Sequence, residues 1–306
     1  MSAIVVTNSV PAWILASRLK TLGAMACPIM IGNALAFSAG QFSLPIFFLS
    51  LLSGLLLQIL ANLINDYGDF VKGSDSKERL GPPRAMQMGW ITRRAMVQGI
   101  FTTMTLAVLC GFPLVLRGGW PILFIGVAGI GLCGWYTLGR RPLAYRGFAE
   151  IVIFFVFGPF AVMSVYYLQT LSLSHDALWI SLSPGALSTA LLLTNNLRDI
   201  GQDAINHKRT VAVRFGERFA RCSIVMLVVM AALGPVIMYY RFSYSPVVLA
   251  SVITLIIPAI YFKMILREPI SRRFNLMLAS LGKTLYLFGI VLSAGIIYGA
   301  SERIFL

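Results

Sequence analysis

Residues 43–69 read SLPIFFLSLLSGLLLQILANLINDYGD. Up to residue 64 the stretch carries no charge, and it then turns sharply polar. A bilayer-crossing helix needs roughly 20 apolar residues, so this is a membrane span with carboxylates at one end. Acids at the edge of such a span are costly and usually functional. If the helix runs on through its polar end, Asn62, Asn65, Asp66 and Asp69 fall on one face, because residues three, four and seven apart are neighbours.

The rest of the chain follows the same reading. It has 306 residues, of which 58% are hydrophobic and only 12% charged, and its mean hydropathy is +0.82. A soluble domain would be about 25% charged. Apolar runs lie at 22–39, 43–64, 95–116, 119–139, 148–170, 178–197, 222–240, 246–264 and 276–299. They predict an all-α integral membrane protein, a bundle of about nine transmembrane helices around a central cavity. The runs are continuous, whereas a β-barrel would show alternating strands of about ten residues.

Nine crossings sort the charge. All but Arg117, Arg241 and Arg303 of the 25 Lys and Arg residues then fall on one face. The positive-inside rule makes that face, with the N-terminus, cytoplasmic. Topology and lipid headgroups therefore account for the net charge of +14, and no nucleic acid is expected. The whole of 1–306 is read as one polytopic domain. Residues 1–21 form a cytoplasmic amphipathic arm, and 65–94 and 198–221 form cytoplasmic loops. The four cysteines are scattered without a C-x-x-C pair, and His175 and His207 are too few for a histidine metal site. Gly282-Lys283-Thr284 has the tail of a phosphate-binding loop, but Met277 stands where its first glycine belongs.

A second acidic window repeats the first: Asn195-Asn196-Leu197-Arg198-Asp199-Ile200-Gly201-Gln202-Asp203 ends the run 178–197. Gly68, Gly73 and Gly81 with Pro82 and Pro83 are expected to break the first window into a loop, and Gly201 to interrupt the second. Seven of the eleven acids lie in or just beyond these windows, Asp75, Glu78 and Glu217 among them. Carboxylate and amide oxygens without histidine or thiolate form a hard donor set that selects Mg²⁺, which takes one or two carboxylates and leaves room for water and substrate phosphate. Lys72, Arg79, Arg84, Lys208 and Arg209 are placed to meet the remaining phosphate oxygens. The two windows read as halves of one site for a magnesium-bound diphosphate.

At these residues the chain resembles the UbiA-type intramembrane aromatic prenyltransferases over nearly its whole length. Asn65-Asp66-Tyr67-Gly68-Asp69 is similar to the family's N-D-x-x-D, and Asp199-Ile200-Gly201-Gln202-Asp203 to its D-x-x-x-D. Val71-Lys72-Gly73-Ser74-Asp75, Gly81-Pro82, Asn195-Asn196-Leu197-Arg198-Asp199 and Val213-Arg214-Phe215-Gly216 are most similar to the branch that prenylates 1,4-dihydroxy-2-naphthoate. The wider family often carries a third acid four residues beyond the first motif, where this chain has Gly73, leaving Asp75 as the nearest substitute.

The resemblance implies transfer of a polyprenyl group from an Mg²⁺-bound polyprenyl diphosphate to the naphthoate with loss of CO₂, a step of menaquinone synthesis. Asp66, Asp69, Asp199 and Asp203 would be the catalytic, metal-binding acids. Asn62, Asn65, Asn195 and Asn196 would orient them or a metal-bound water. Arg18, Lys20 and Arg141 are candidates for the acceptor's carboxylate, and Tyr136 for a substrate oxygen. The site would face the cytoplasm from a bacterial inner membrane, with lipid as the surrounding partner. Two alternatives stay open: another aromatic acceptor, such as 4-hydroxybenzoate or homogentisate, and a cation-coupled transporter.

Overall fold

The computed structural model describes residues 5–73, 80–139 and 142–305, and it is helical with no strand among them. The helices in chain order are α1 (Val10–Ser17), α2 (Leu19–Ser38), α3 (Leu44–Val71), α4 (Arg93–Thr137), α5 (Ala149–Phe155), α6 (Ala161–Thr170), α7 (His175–Arg198), α8 (Ile200–Ile205), α9 (Val211–Phe215), α10 (Glu217–Met230), α11 (Leu233–Phe242), α12 (Ala250–Ile253), α13 (Ile256–Ala259), α14 (Phe262–Arg267) and α15 (Phe274–Phe305). Among the described residues, seven helical stretches are long and apolar enough to cross a membrane.

Three of the nine expected segments account for the difference. The runs 95–116 and 119–139 form one 45-residue element, α4, bent at Gly119 with φ 65° and ψ −149°. That backbone is open to glycine alone, and Pro121, which cannot donate a backbone hydrogen bond, follows it. Both legs lie along α3 in opposite senses. Arg93 reaches Tyr67 and Ser53 the carbonyl of Ala107 on the way out, and Cys133 reaches the carbonyl of Leu57 and Thr137 meets Asn65 on the way back. So α4 is a helical hairpin. The run 246–264 is a chain of short pieces, of which Pro246–Ala259 is the apolar part.

Glycine lets the helices approach closely, as small residues do in membrane bundles. A Cβ on Gly282 would meet the carbonyl of Lys20 at 2.6 Å, and one on Gly289 would meet the Cα of Cys27 at 2.9 Å. Because these contacts advance together along both chains, α2 and α15 run parallel. Gly282-Lys283-Thr284 is therefore a helix crossing and not a phosphate loop. Gly158 and Gly185 make a similar crossing, where a Cβ on either would meet a carbonyl of the facing helix at 2.7 Å. Both α2 and α7 are 72% buried across their apolar windows, against 11% for α4. The core thus sits around α2, α7 and α15, and the hairpin stands at the edge.

The N-terminal arm differs from an amphipathic helix. α1 has no charged residue, with Val10, Ile14 and Leu15 exposed and Ala12 and Ala16 buried. Charge enters only at Arg18, whose left-handed backbone (φ 51°) joins α1 to α2.

Candidate active site

The first window is the end of α3, and the helix does not break where its glycine stands. Gly68 lies within it, and a Cβ there would meet Thr137 Cγ2 at 2.6 Å, so it is a contact glycine against the returning leg of α4. The helix ends at Lys72, followed by Gly73 with φ 64°. The unbroken turn puts Asn62, Asn65, Asp66 and Asp69 along one wall of a cavity of about 700 Å³. In the second window the break also falls elsewhere. α7 stops at Asp199 (φ −97°, ψ 11°), and Gly201 is helical within α8. Asn195, Asn196, Asp199 and Asp203 line the opposite wall of the same cavity.

The two windows meet through cations. Lys208 Nζ lies 3.5 Å from Asp69 Oδ1 and 3.8 Å from Asp203 Oδ1, bridging them. Arg84 Nη2 lies 2.6 Å from Asp69 Oδ2, and the neighbouring Ala85 N–H donates to Asp66 Oδ2 at 3.0 Å. Arg198 is 2% exposed. It donates to both oxygens of Asp199, to Asn195 Oδ1 at 2.7 Å and to Asn275 Oδ1 at 2.8 Å. Burial works against the charge of Lys208, but Asp69, Asp203 and Tyr145 together outweigh it and raise its pKa above that of an ordinary lysine. For Lys72 burial prevails: despite Asp69 its pKa is lowered, with Lys208 adding to the fall.

The other sequence candidates divide. Asn62 donates to the carbonyl of Ser17 at 2.9 Å and to Thr21 Oγ1 at 3.0 Å, while Asn65 accepts from the Thr137 hydroxyl. Arg18, Lys20 and Tyr136 line the cavity. Lys72 stands behind the wall, donating to the Thr137 carbonyl with its ammonium 4.7 Å over the Tyr145 ring. Arg209 is exposed and does not line the cavity: it follows Lys208 at the start of the turn into α9, whose first residues pack inward instead. Asp75, Arg79 and Arg141 lie outside the described residues.

Three contributors were not among the candidates. Glu150, 6% exposed, accepts from Asn196 Nδ2 at 2.9 Å and from Val211 N–H at 3.4 Å, bracing the second window against α5 and α9. It is the lone acid of its apolar run, which was the available signal. Asn275, at the start of α15, joins Arg198 to the Leu80 carbonyl at 2.9 Å, tying the second window to the loop that carries Arg84. Tyr145 lies beneath the ammonium groups of both Lys72 and Lys208. Neither residue is marked by its sequence context.

The donor set suits magnesium. A compact ammonium already sits between carboxylates of both windows. Among the described residues no three His, Cys, Asp or Glu side chains are gathered closely enough to cage a metal alone. Magnesium takes few carboxylates and completes its shell with water and phosphate, so two separated pairs fit it where a closed protein cage would not.

Comparison with known proteins places this architecture. The sequence model of the UbiA prenyltransferase family matches residues 25–282. The 1,4-dihydroxy-2-naphthoate octaprenyltransferase of Escherichia coli is 41% identical over 216 residues, 69% of this chain and 70% of that one. The Mycobacterium tuberculosis protein of the same name is 33% identical over 68% of this chain and 71% of its own. The fold is shared with a UbiA homolog from Archaeoglobus fulgidus, solved bound to GPP and Mg²⁺. Its TM-score is 0.65 at 15% identity, covering 94% of this chain and 99% of that one. The chain belongs to the UbiA prenyltransferase family.

Proposed function

We propose that this protein transfers a polyprenyl group from a polyprenyl diphosphate to 1,4-dihydroxy-2-naphthoate, with loss of CO₂. The observation that carries the reading is the convergence of both acidic windows on one cavity, in a chain 41% identical to a naphthoate octaprenyltransferase. Its relatives of that name support the acceptor.

Asp66, Asp69, Asp199 and Asp203 would hold Mg²⁺, which when bound supplies Lewis-acid neutralisation of the diphosphate. Arg84, Arg198 and Lys208, now paired with those acids, would turn to phosphate oxygens and stabilise the charge that grows on the leaving group. The allylic C–O bond breaks and its electron pair leaves with diphosphate. The ring's electrons form the new C–C bond to the prenyl carbon. The ring–carboxylate bond then breaks, its pair restores the aromatic ring, and CO₂ departs. No oxidant or added base is needed for this balance. Arg18 and Lys20, on the cavity wall, would face the acceptor's carboxylate.

The hairpin of α4 counted as two crossings, and Pro246–Ala259 as one, support nine crossings. The parallel run of α2 and α15 supports an odd number. The basic residues gathered beside the acidic windows support an N-terminus and a site on the cytoplasmic side of a bacterial inner membrane.

The test is turnover by purified protein in detergent with the naphthoate and a long-chain polyprenyl diphosphate, with Mg²⁺ or with EDTA. Prenylated naphthohydroquinone that requires Mg²⁺, detected as the quinone after oxidation by air during work-up, is the expected result. Turnover only with 4-hydroxybenzoate or homogentisate would move the acceptor. Absence of prenyl transfer to any acceptor, from folded protein, would favour cation-coupled transport.

A further inference from the structure

The cavity is walled largely by apolar side chains, and among its uncharged polar lining residues are Ser188 and Gln58. Ser188 on α7 is 3% exposed and its hydroxyl has no hydrogen-bond partner. Thr189 and Thr194 on the same helix donate back to carbonyls one turn earlier, to Gly185 at 2.8 Å and to Ala190 at 2.7 Å, whereas Ser183 is buried without a partner like Ser188 but does not line the cavity. Ser188 makes no such bond, and among the buried hydroxyls without a partner in the described residues it is the one that lines the cavity. A buried hydroxyl left unmatched is unfavourable, and one that faces a cavity can be met by a ligand bound there.

On the facing wall, α3 presents Gln58, half-buried and without a hydrogen bond of its own. The registers match. Gln58 is seven residues before Asn65, and Ser188 is seven residues before Asn195. Seven residues are two turns, about 10 Å along the axis. Both helices therefore place an uncharged polar group at the same depth below the amide-and-carboxylate tier, with Ala61 on one side and Leu191 and Leu192 on the other lining the interval.

We infer that Ser188 and Gln58 form a recognition tier for an oxygen of the aromatic acceptor's ring. This rests on the acceptor reading above. The isoprenoid tail is hydrocarbon and gains nothing from a hydroxyl or an amide. Metal–oxygen bonds of about 2 Å and a reacting-atom separation of about 3–3.5 Å stack the diphosphate and the ring downward from the carboxylates. The ring's hydroxyls then lie on the order of two helical turns below the rim. A site built to bond a hydroxyl discriminates strongly against an analogue that lacks it.

The experiment is equilibrium binding of 1,4-dihydroxy-2-naphthoate and of its 4-deoxy analogue, 1-hydroxy-2-naphthoate, without donor or metal. It compares wild type with Ser188→Ala and Gln58→Leu, and steady-state KM values for both substrates accompany it. The expected result is a Kd for the dihydroxy acceptor weakened about five- to tenfold in one or both variants, the size of one lost neutral hydrogen bond. Preference over the deoxy analogue shrinks in the same variant, and KM for polyprenyl diphosphate stays unchanged. Unaltered acceptor affinity and preference in both variants, with melting temperatures at the wild-type value, would assign the tier to water and overturn the inference. A change confined to the donor's KM would overturn it too. Wild-type protein that neither binds nor prenylates the naphthoate would overturn the acceptor reading itself, an outcome distinct from the other two.

Discussion

The two acidic windows carry nearly the same letters and are held in different ways. The first stays on a continuous helix, and its charges are met from a distance: Arg84 and Ala85, on the loop beyond it, reach back to Asp69 and Asp66. The second breaks at Asp199 and is met from within, by Arg198 one residue earlier and Lys208 nine residues later. One motif is therefore a continuous helical wall met from a loop, and the other a junction between two helices that carries Arg198 within it. Lys208 belongs to both, since its ammonium also reaches Asp69.

If both walls hold the same ion, Asp66→Ala and Asp199→Ala should each reduce prenyl transfer by about 10²-fold or more, the scale of losing one preorganised electrostatic partner. Assays over a range of Mg²⁺ concentrations would check this, and one variant spared would break the symmetry. The counter-charges should separate the windows. Arg198→Ala removes a buried guanidinium that serves Asp199, Asn195 and Asn275 together. It should cost about 3–5 kcal/mol of stability, seen as a lowered melting temperature that Arg198→Lys does not restore, because an ammonium lacks the planar fork. Arg84→Ala should act mainly on activity, by about 10–100-fold as for partners of metal ligands, with a smaller shift in melting.

The glycines give the finest contrast. Gly68→Ala drives a methyl into Thr137 and should cost about 1–3 kcal/mol, loosening the Asn65 contact. Gly201→Ala meets nothing within 4 Å on a helical backbone and should stabilise by about 0.5–1 kcal/mol. Equal effects of the two in a denaturation series would show that the windows are packed alike.

Much of this was legible. Membrane character, the helical class and the polar end of each span follow from composition and period, because a bilayer demands continuous apolar runs and closed backbone hydrogen bonding. The two acidic windows stood out too, since carboxylates at a membrane edge are too costly to be incidental. The glycines were misread for a physical reason. A glycine that permits a turn and one that permits close packing look identical until the neighbour is known, as Gly68 against Thr137 and Gly282 against Lys20 show. Basic residues were equally ambiguous. Lys208 and Arg209 are adjacent, yet the turn into α9 sends one between the carboxylates and leaves the other exposed.

By itself the sequence determined that the chain lives in a bilayer, is helical, and gathers carboxylates and amides at the ends of two spans. These are local properties, set by apolar run length and by the energy of charge near lipid. Only the tertiary structure decided that the two windows line one cavity, that Glu150 and Asn275 brace its rim, and that Ser188 and Gln58 line it too. Those relations join residues far apart in the chain, and helix packing alone fixes them.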